Sequence, residues 1–222
     1  MKITRNYISG YNILRIKNDV VPHVHDDMMT FIRGLNIGGK NVVDGGSNMG
    51  LTSLVFSDAV GEGGIVFAFE IQPILHQLTC ANAVINGKKN IVAINKALSE
   101  HSGEWFGFSE IDYDVENVSS VGVKTEPKKG TKKYIDHIET IAVDDMNLED
   151  IGLIKLDIEG YEPEALRGMK RTIAKWKPHL IIEASHNYLY EKGGVHGLEN
   201  WVKEMGYEIT KDNDHNLYAV PK

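Results

Sequence analysis

The sequence predicts an α/β fold of three layers, in which helices cover both faces of a mostly parallel, seven-stranded sheet. Short apolar runs alternate with segments of helical periodicity along most of the chain. Several runs, such as 65–69, are apolar at every position, which is typical of parallel strands buried on both faces. The last two runs are joined by the short polar segment 211–216 and predict an antiparallel hairpin at the C-terminal edge of the sheet.

These patterns place the elements in chain order. The predicted strands cover residues 41–44, 65–70, 91–95, 151–158, 180–183, 207–210 and 217–220. The helical spacing of apolar residues predicts helices over 49–60, 75–85, 163–176 and 198–205. In the third of these helices Pro163 occupies the first turn, where its missing N–H costs nothing. Gly168, in the interior of the same helix, should cost about 1 kcal/mol relative to alanine.

Length and composition limit the class of protein. A chain of 222 residues is expected to form one domain, since that length buries on the order of 70% of the unfolded surface. The formal net charge of −7 argues against a protein that binds nucleic-acid phosphates, so we expect no nucleic-acid partner. No apolar run approaches the roughly 20 residues that span a bilayer. Residues 1–7 carry charge and lack the apolar core of a signal peptide, so a cytoplasmic setting without a membrane partner is expected.

Two segments of the chain depart from the alternation of strands and helices. Residues 1–40 are interpreted as an N-terminal segment leading into the domain. Residues 103–139 are too long for a connection and are interpreted as an insertion with its own strands near the substrate. Five lysines between Lys124 and Lys133 form either a solvated turn or a patch for an acidic substrate.

Cys80 is the only cysteine in the sequence, so no internal disulfide can form. Its side chain is expected in the core as a small apolar group.

Four acidic residues are predicted at the carboxyl ends of strands: Asp44, Glu70, Asp157 and Glu183. In a doubly wound sheet the ligand lies outside the carboxyl ends of the strands, near the switch in strand order. Buried acids need partners, and packing alone does not explain four of them at one rim. The acids therefore indicate a binding site at this edge.

The glycine-rich segment 42–50 follows the first predicted buried strand. Gly46 allows the backbone to approach a ligand, and Gly50 is expected to let the next helix pack close to the strand. Ser47 stands where a dinucleotide-binding pattern would have its middle glycine, which argues against a nicotinamide cofactor. Glu70 lies 20 residues after Gly50, and its two acceptor oxygens match a ribose cis-diol. Together these features favour S-adenosylmethionine as the ligand and methyl transfer as the reaction.

Three segments resemble the FkbM family of S-adenosylmethionine-dependent methyltransferases. They are Val43–Gly50, Ala68–Glu70 and Ile154–Glu162, the last followed by Leu166-Arg167-Gly168. The resemblance covers roughly residues 27–187. It implies a single methyltransferase domain over 1–222 with the class I (Rossmann-like) fold, and usually O-methylation of a sugar or another small-molecule hydroxyl.

The resemblance also implies roles for individual positions. Asp44, Gly46, Asn48 and Gly50 match the loop that holds the methionine part of the cofactor, and Glu70 matches the ribose acid. The stretch 97–99 matches the residues beside the adenine, and Asp157 matches the acid that faces the active centre. The family often has proline directly after the ribose acid, whereas here Ile71 and Gln72 precede Pro73. The full set of expected cofactor-binding residues is Asp44, Gly45, Gly46, Ser47, Asn48, Gly50, Glu70, Ile71, Ala97, Leu98, Ser99 and Asp157.

A hydroxyl that is methylated must lose its proton, so a base is expected at the rim. Asp157 and Glu159 are candidates, because strand alternation would put both on one face if the strand continues to Glu159. Alternatively, Glu159 lies at the N-terminal end of the next helix, where the helix dipole favours a carboxylate. His186 follows the strand that bears Glu183 and is a third candidate. These acids and His186 could bind a divalent cation, but no ligand spacing supports one, and no metal is expected.

Two other functions stay open at this point. A nucleotide-sugar oxidoreductase or epimerase would need a Tyr-x-x-x-Lys pair, which Tyr188 and Lys192 fit formally. A catalytically idle protein that binds an adenosyl ligand would bind the cofactor without transfer. The expected partner of the enzyme is a small-molecule or glycan acceptor, and the sequence does not indicate the oligomeric state.

Overall fold

The computed structural model describes residues 1–108, 113–114, 136–184, 194–211 and 216–222. The strands in these ranges are β1 (Ile3–Ile8), β2 (Tyr11–Ile16), β3 (Asn41–Gly45), β4 (Val66–Phe69), β5 (Ile91–Ile94), β6 (Ala97–Leu98), β7 (Trp105–Phe108), β8 (Asp136–Ile141), β9 (Ile151–Leu156), β10 (His179–Glu183), β11 (Tyr207–Lys211) and β12 (Asn216–Pro221). The helices are α1 (Asp26–Gly34), α2 (Leu51–Val60), α3 (Pro73–Ile85), α4 (Glu162–Arg167), α5 (Lys170–Trp176) and α6 (Gly194–Glu204).

Seven of the described strands form the main sheet, in the order β11-β12-β10-β9-β3-β4-β5. The five strands from β10 to β5 in this order run parallel to their neighbours. β12 runs antiparallel to both β10 and β11. The mostly parallel, seven-stranded sheet with a C-terminal antiparallel hairpin is therefore confirmed. β3 lies between β9 and β4, so the segments after these three strands meet at one edge.

Apolar side chains cover both faces of the sheet. Val42 and Val43 are both fully buried but belong to two different core clusters, because successive strand residues point to opposite faces. One cluster includes residues of α4, α5 and α6. The other includes residues of α1, α2 and α3. The fold is the predicted three-layer arrangement, and burial of both sheet faces explains why the central strands are mostly apolar.

The N-terminal segment contains structure that the sequence analysis did not predict. β1 and β2 form an antiparallel hairpin in which Ile3 pairs with Ile16. Ile13 and Ile16 are 0% and 1% exposed and join the core cluster of α2 and α3. The hairpin is thus packed on the domain through the inward face of β2.

Of the segment 103–139, only residues 103–108, 113–114 and 136–139 lie within the described residues. β7 pairs antiparallel with β8, and β6 pairs parallel with β8, so these three strands form a small second sheet. The lysines between Lys124 and Lys133 lie outside the described residues. Among the described residues, no helix combines the length and the apolar character needed to cross a bilayer.

Two expectations about helices are wrong. The helix predicted over 163–176 is divided into α4 and α5, and Gly168 lies between them. A Cβ atom on Gly168 would lie 1.9 Å from the Ser99 carbonyl oxygen, so the chain breaks where a neighbouring backbone approaches it. Cys80 is exposed on α3 and is not a core residue.

Candidate active site

A cavity of about 240 Å³ opens at the carboxyl ends of β3, β4 and β9. Eight of the residues predicted for the site line it: Gly46, Asn48, Glu70, Ile71, Ala97, Leu98, Asp157 and Glu159. Four further lining residues were not predicted: Phe69, Lys96, Ile158 and Tyr161. The strand ends bring three carboxylates to this one cavity, namely those of Glu70, Asp157 and Glu159.

The other predicted residues do not line the cavity. These are Asp44, Gly45, Ser47, Gly50 and Ser99. Asp44 is fully buried behind the loop, and its Oδ2 accepts a hydrogen bond of 2.5 Å from the Ser53 hydroxyl. His186 lies outside the described residues, so its proposed role as a base stays a prediction.

The glycine-rich loop is tightly constrained by its neighbours. Gly46 has a φ of +74°, and a Cβ atom there would lie 1.8 Å from the carbonyl oxygen of Asp157. Glycine is therefore required here by the backbone that follows β9. Gly50 has a φ of +86°, and its Cβ would contact Thr79 of α3 at 3.0 Å. The atoms nearest to such a Cβ all belong to Thr79, so α3 is the element that approaches Gly50 most closely.

Glu70 follows β4 and fixes the same loop through backbone hydrogen bonds. Its Oε2 accepts the N–H of Asn48 at 2.8 Å, and its Oε1 accepts the N–H of Gln72 at 2.9 Å. Burial raises the pKa of Glu70 to about 7, although these two N–H groups and Lys155 offset part of the effect. Each carboxylate oxygen can accept a second hydrogen bond, so a diol could bind without displacing the loop.

Lys155 is a buried cation at the centre of the site that the sequence analysis did not identify as functional. Its ammonium group donates to the carbonyl oxygens of Gly46 at 2.9 Å and Gly45 at 3.3 Å. It also forms ion pairs with Asp157 at 3.3 Å and Asp44 at 3.6 Å. Burial alone would lower the pKa of Lys155, but the charges of Asp157 and Asp44 outweigh it and raise this pKa. The protonated ammonium therefore ties the ends of β3 and β9 together.

A signal for Lys155 was present in the sequence. It is a charged residue inside a strand that is otherwise apolar, and the pairing of β3 with β9 places it opposite Asp44. Buried lysines need a compensating charge, so an acid on an adjacent strand was the partner to seek. The register that brings these two residues together was not available from the sequence.

Asp157 and Glu159 reach the cavity for a different reason from the one predicted. β9 ends at Leu156, and Glu159 has a φ of +59°. A turn, and not strand alternation, therefore brings the two carboxylates to the same cavity. Glu159 also precedes α4, which begins at Glu162, so it is not in the first helical turn.

Glu162 stabilises this turn through hydrogen bonds to its backbone. Its side chain is 1% exposed, and its Oε1 accepts the N–H groups of Ile158 at 2.9 Å and Gly160 at 3.3 Å. Burial raises the pKa of Glu162, while these N–H groups act in the opposite direction. The carboxyl group thus holds the segment that carries the two acids of the cavity.

Tyr161 forms one wall of the cavity beside the small second sheet. Its ring lies 5.6 Å from the ring of Phe106 on β7, in a T-shaped arrangement. Burial raises the pKa of Tyr161, and a hydrogen bond with the Ser99 side chain opposes this shift. Ser99 therefore helps to hold the Tyr161 side chain in place, although it does not line the cavity itself.

No group of three or more histidine, cysteine or acidic residues suited to a metal ion occurs in the described parts of the chain.

Comparison with known proteins identifies a matching family and several similar proteins. The sequence profile of the methyltransferase FkbM domain matches residues 36–209. Methyltransferase sdnD of Sordaria araneosa is 25% identical over an alignment of 199 positions, and the match covers 77% of this chain and 74% of that protein. The solved structure of methyltransferase FkbM from Methylobacillus flagellatus superimposes with a TM-score of 0.58 and 21% identity, over 84% of this chain and 45% of that chain. A SAM-dependent O-methyltransferase from Thermotoga maritima gives a TM-score of 0.50 and 14% identity, over 91% and 68% of the two chains.

These findings differ in what they show. The chain spans less than half of the Methylobacillus chain, and at these identities the structural matches show the fold alone, which is the predicted class I (Rossmann-like) methyltransferase fold. The family match covers most of the chain and includes every residue that lines the cavity. The chain belongs to the FkbM family of S-adenosylmethionine-dependent methyltransferases.

Proposed function

We propose that this chain transfers a methyl group from S-adenosylmethionine to a hydroxyl group of a sugar or another small molecule. The observation that carries the proposal is the single cavity in which Glu70, on one side of the β3 loop, faces the same space as Asp157 and Glu159. The carboxylate of Glu70 is suited to a ribose diol, and the carboxylates of Asp157 and Glu159 are suited to an acceptor hydroxyl.

The residues of the cavity fit the cofactor. Glu70 has spare acceptor capacity on both oxygens for the two ribose hydroxyls. Asn48 lines the cavity, and its buried Oδ1 has no hydrogen-bond partner among the described residues. A buried acceptor of this kind fits the ammonium group of the methionine part. Ile71, Ala97 and Leu98 offer an apolar surface for the adenine ring.

The cofactor supplies an electrophilic methyl carbon, and the chain supplies orientation and a base. Asp157 and Glu159 can accept hydrogen bonds from the acceptor hydroxyl and take its proton as the oxygen becomes a nucleophile. Holding the acceptor in line with the methyl carbon removes several kcal/mol from the barrier, on the order of 7 or more in well-aligned cases. The Lys155 ammonium lies 3.3 Å from the Asp157 carboxylate and helps to hold it at the cavity.

The experiment begins with ligand binding. S-adenosylhomocysteine at 100 times its dissociation constant should stabilise the chain by roughly 2.7 kcal/mol in thermal unfolding, while NAD should give no shift. Family membership already argues against the oxidoreductase or epimerase alternative. A shift with NAD, or none with S-adenosylhomocysteine, would contradict the proposal.

Turnover then separates an enzyme from an idle binder. A methylated product should be sought by mass spectrometry in extracts supplied with isotope-labelled cofactor. Asp157→Asn should remove turnover while S-adenosylhomocysteine still binds, and the exposed acid Glu62 provides a control as Glu62→Gln. Near-normal turnover in Asp157→Asn would exclude Asp157 as the base, and binding without any product would favour the idle binder.

A further inference from the structure

Helix α3 carries buried polar side chains on the face that meets the cofactor loop. Thr79 is 1% exposed and Asn82 is 0% exposed. Buried polar side chains in helices compete with backbone partners and need hydrogen bonds of their own. The partners of these two residues lie outside α3, on both of the segments that pack against it.

On one side, these residues bind carbonyl groups of the loop. The Thr79 hydroxyl donates to the carbonyl oxygen of Asn48 at 2.7 Å. The Asn82 amide donates to the carbonyl oxygen of Met49 at 2.7 Å. Asn48 has a φ of +53°, a left-handed conformation that a residue other than glycine adopts only where its surroundings impose it. Asn48 also lines the cavity and donates its N–H to Glu70, so its conformation sets the shape of the cofactor site.

On the other side, Asn82 binds the N-terminal hairpin. Its Oδ1 accepts the N–H of Leu14 at 2.7 Å, and its Nδ2 donates to the carbonyl oxygen of Leu14 at 3.0 Å. Asn86, one helical turn later, binds Asn12 of β2 in the same way. Its Oδ1 accepts the N–H of Asn12 at 2.9 Å, and its Nδ2 donates to the carbonyl oxygen of Asn12 at 2.7 Å. Among the described residues, Asn86 makes no side-chain hydrogen bond to the loop, and its third side-chain bond is to the carbonyl oxygen of Asn82.

We propose that Thr79 and Asn82 are positioning residues for the cofactor loop, and that the N-terminal hairpin completes their hold on it. Asn82 uses both amide hydrogens and its oxygen, so its orientation toward Met49 depends on the hairpin backbone. The hairpin precedes residues 36–209, which match the family, and therefore adds a support to the loop from outside that domain. The inference rests on the proposed function, because it takes the loop to be the cofactor site.

The energetic effect follows from the population of the bound conformation. When the carbonyl groups of Asn48 and Met49 lose their partners, the left-handed conformation at Asn48 is no longer imposed. The apparent dissociation constant then rises in inverse proportion to the fraction of loops that keep the binding conformation. Neither α3 side chain needs to touch the cofactor for this effect.

Thr79 offers a matched pair of variants. Thr79→Val keeps the shape of the side chain and removes the hydroxyl, whereas Thr79→Ser keeps the hydroxyl and removes the methyl group that contacts Gly50. We expect Thr79→Val to weaken binding of S-adenosylhomocysteine roughly fivefold, the factor expected for one hydrogen bond of ordinary strength. Thr79→Ser should bind within about twofold of the unmodified chain, a factor close to the noise of such measurements. Both affinities are measured by isothermal titration calorimetry.

Asn82 and Asn86 form a second matched pair. Asn82→Leu removes the hydrogen bonds to the hairpin and the loop. Asn86→Leu removes those to the hairpin and one to the carbonyl oxygen of Asn82, but none to the loop. Both variants should lower the unfolding temperature, but only Asn82→Leu should weaken binding of S-adenosylhomocysteine, by tenfold or more if two hydrogen bonds are lost. If Asn82→Leu does not fold, the comparison of Thr79→Val with Thr79→Ser tests the positioning role without it.

The outcomes are distinguishable. If the unmodified chain binds S-adenosylhomocysteine and Thr79→Val binds it equally well, the positioning role is wrong while the proposed function stands. If Asn86→Leu weakens binding as much as Asn82→Leu, the two residues contribute only stability and the role is also wrong. An unmodified chain that does not bind S-adenosylhomocysteine would overturn the proposed function and this inference together.

Discussion

Glu70 illustrates how single residues in this protein are set by opposing forces. Its carboxyl group is 6% exposed, which disfavours the charged form, yet two backbone N–H groups and Lys155 favour that form. The result is a pKa of about 7, so the group changes charge near neutral pH. Burial also disfavours the charged form of Lys155, but two carboxylates lie within ion-pair distance of its ammonium group and raise its pKa.

The pKa of Glu70 predicts how cofactor affinity depends on pH. Only the ionised carboxylate offers acceptors on both oxygens to the ribose hydroxyls, so binding should strengthen as pH rises through about 7. Binding of S-adenosylhomocysteine should be roughly tenfold weaker at pH 6 than at pH 8, as one pKa unit below the midpoint implies. Calorimetry across this range measures the effect, and Glu70→Gln should bind weakly at every pH without the same slope. A flat profile in the unmodified chain would contradict the assignment.

The same group should affect the stability of the ligand-free protein with the opposite sign. The folded-state pKa of Glu70 is raised from 4.5 to about 7, so the folded state binds a proton more tightly than the unfolded state. This contribution is fully present below pH 4.5 and is lost as pH rises through about 7. Urea unfolding of the ligand-free chain should therefore show a smaller decrease in stability between pH 5 and pH 8 in Glu70→Gln than in the unmodified chain. An unchanged decrease would show that Glu70 is not its source.

Removing Lys155 should destabilise the fold. Lys155→Met leaves the fully buried Asp44 without its cation, and breaking a buried pair typically costs about 3–5 kcal/mol. The control is Lys203→Met, since Lys203 is exposed and its pair with Glu199 should contribute under about 1 kcal/mol. Urea unfolding compares the two variants. Equal losses would mean that the buried ion pairs of Lys155 contribute no more than a surface pair.

At the scale of elements, close backbone approaches decide where helices and turns end. α4 stops at Arg167 because Gly168 lies against the backbone of Ser99, and the loop after β3 turns at Gly46 because the end of β9 lies against it. Both contacts converge on segments that border the cavity. The geometry of the site therefore depends on positions where a side chain of any size would not fit.

Gly168→Ala tests this account. Helix propensity alone predicts a gain of roughly 1 kcal/mol, whereas the 1.9 Å approach to Ser99 predicts a loss of about 1–3 kcal/mol. We expect the loss, measured by urea unfolding. Gly34→Ala is the control, since a Cβ atom on Gly34 at the end of α1 meets nothing within 4 Å and should be neutral or stabilising. A stabilised Gly168→Ala would show that the backbone of Ser99 can move away.

At the scale of the whole molecule, two large core clusters on opposite faces of the main sheet connect most of the described helices and strands. The N-terminal hairpin shares its cluster with α2 and α3 through Ile13 and Ile16. The helices of the other cluster pack on the same strands from the opposite side. The hairpin should therefore unfold together with the sheet and not as a separate unit.

Ile13→Ala tests the cooperativity of this arrangement. Truncation of a fully buried isoleucine should cost about 2–5 kcal/mol and lower the midpoint of one thermal transition. Ile3→Ala, at a position 44% exposed on β1, should change stability by less than about 0.5 kcal/mol. Calorimetry would contradict the expectation if Ile13→Ala produced an early, separate transition and left the main one unchanged.

The sequence determined the features that arise from local patterns. Apolar runs and helical spacing predicted the layers, the parallel sheet and the C-terminal hairpin, because periodicity reports how each segment is buried. The four acids Asp44, Glu70, Asp157 and Glu183 were correctly placed near the carboxyl ends of strands, because the carboxyl ends of parallel strands share an edge whatever their order. Of these four, only Glu70 and Asp157 line the cavity. The cofactor loop was recognisable because its glycines and its acid are adjacent in the chain.

Only the tertiary structure decided which distant groups meet. The contact of Lys155 with Asp44 depends on strand register, and the bond from Asn82 to Leu14 joins residues 68 positions apart. The break at Gly168 likewise depends on a carbonyl group from another segment. Such contacts follow from how the layers pack against one another, and a local pattern carries no information about that packing. This is why Asp44, predicted to bind the cofactor, lies behind the loop, while Lys155 and Tyr161 form parts of the site that were not anticipated.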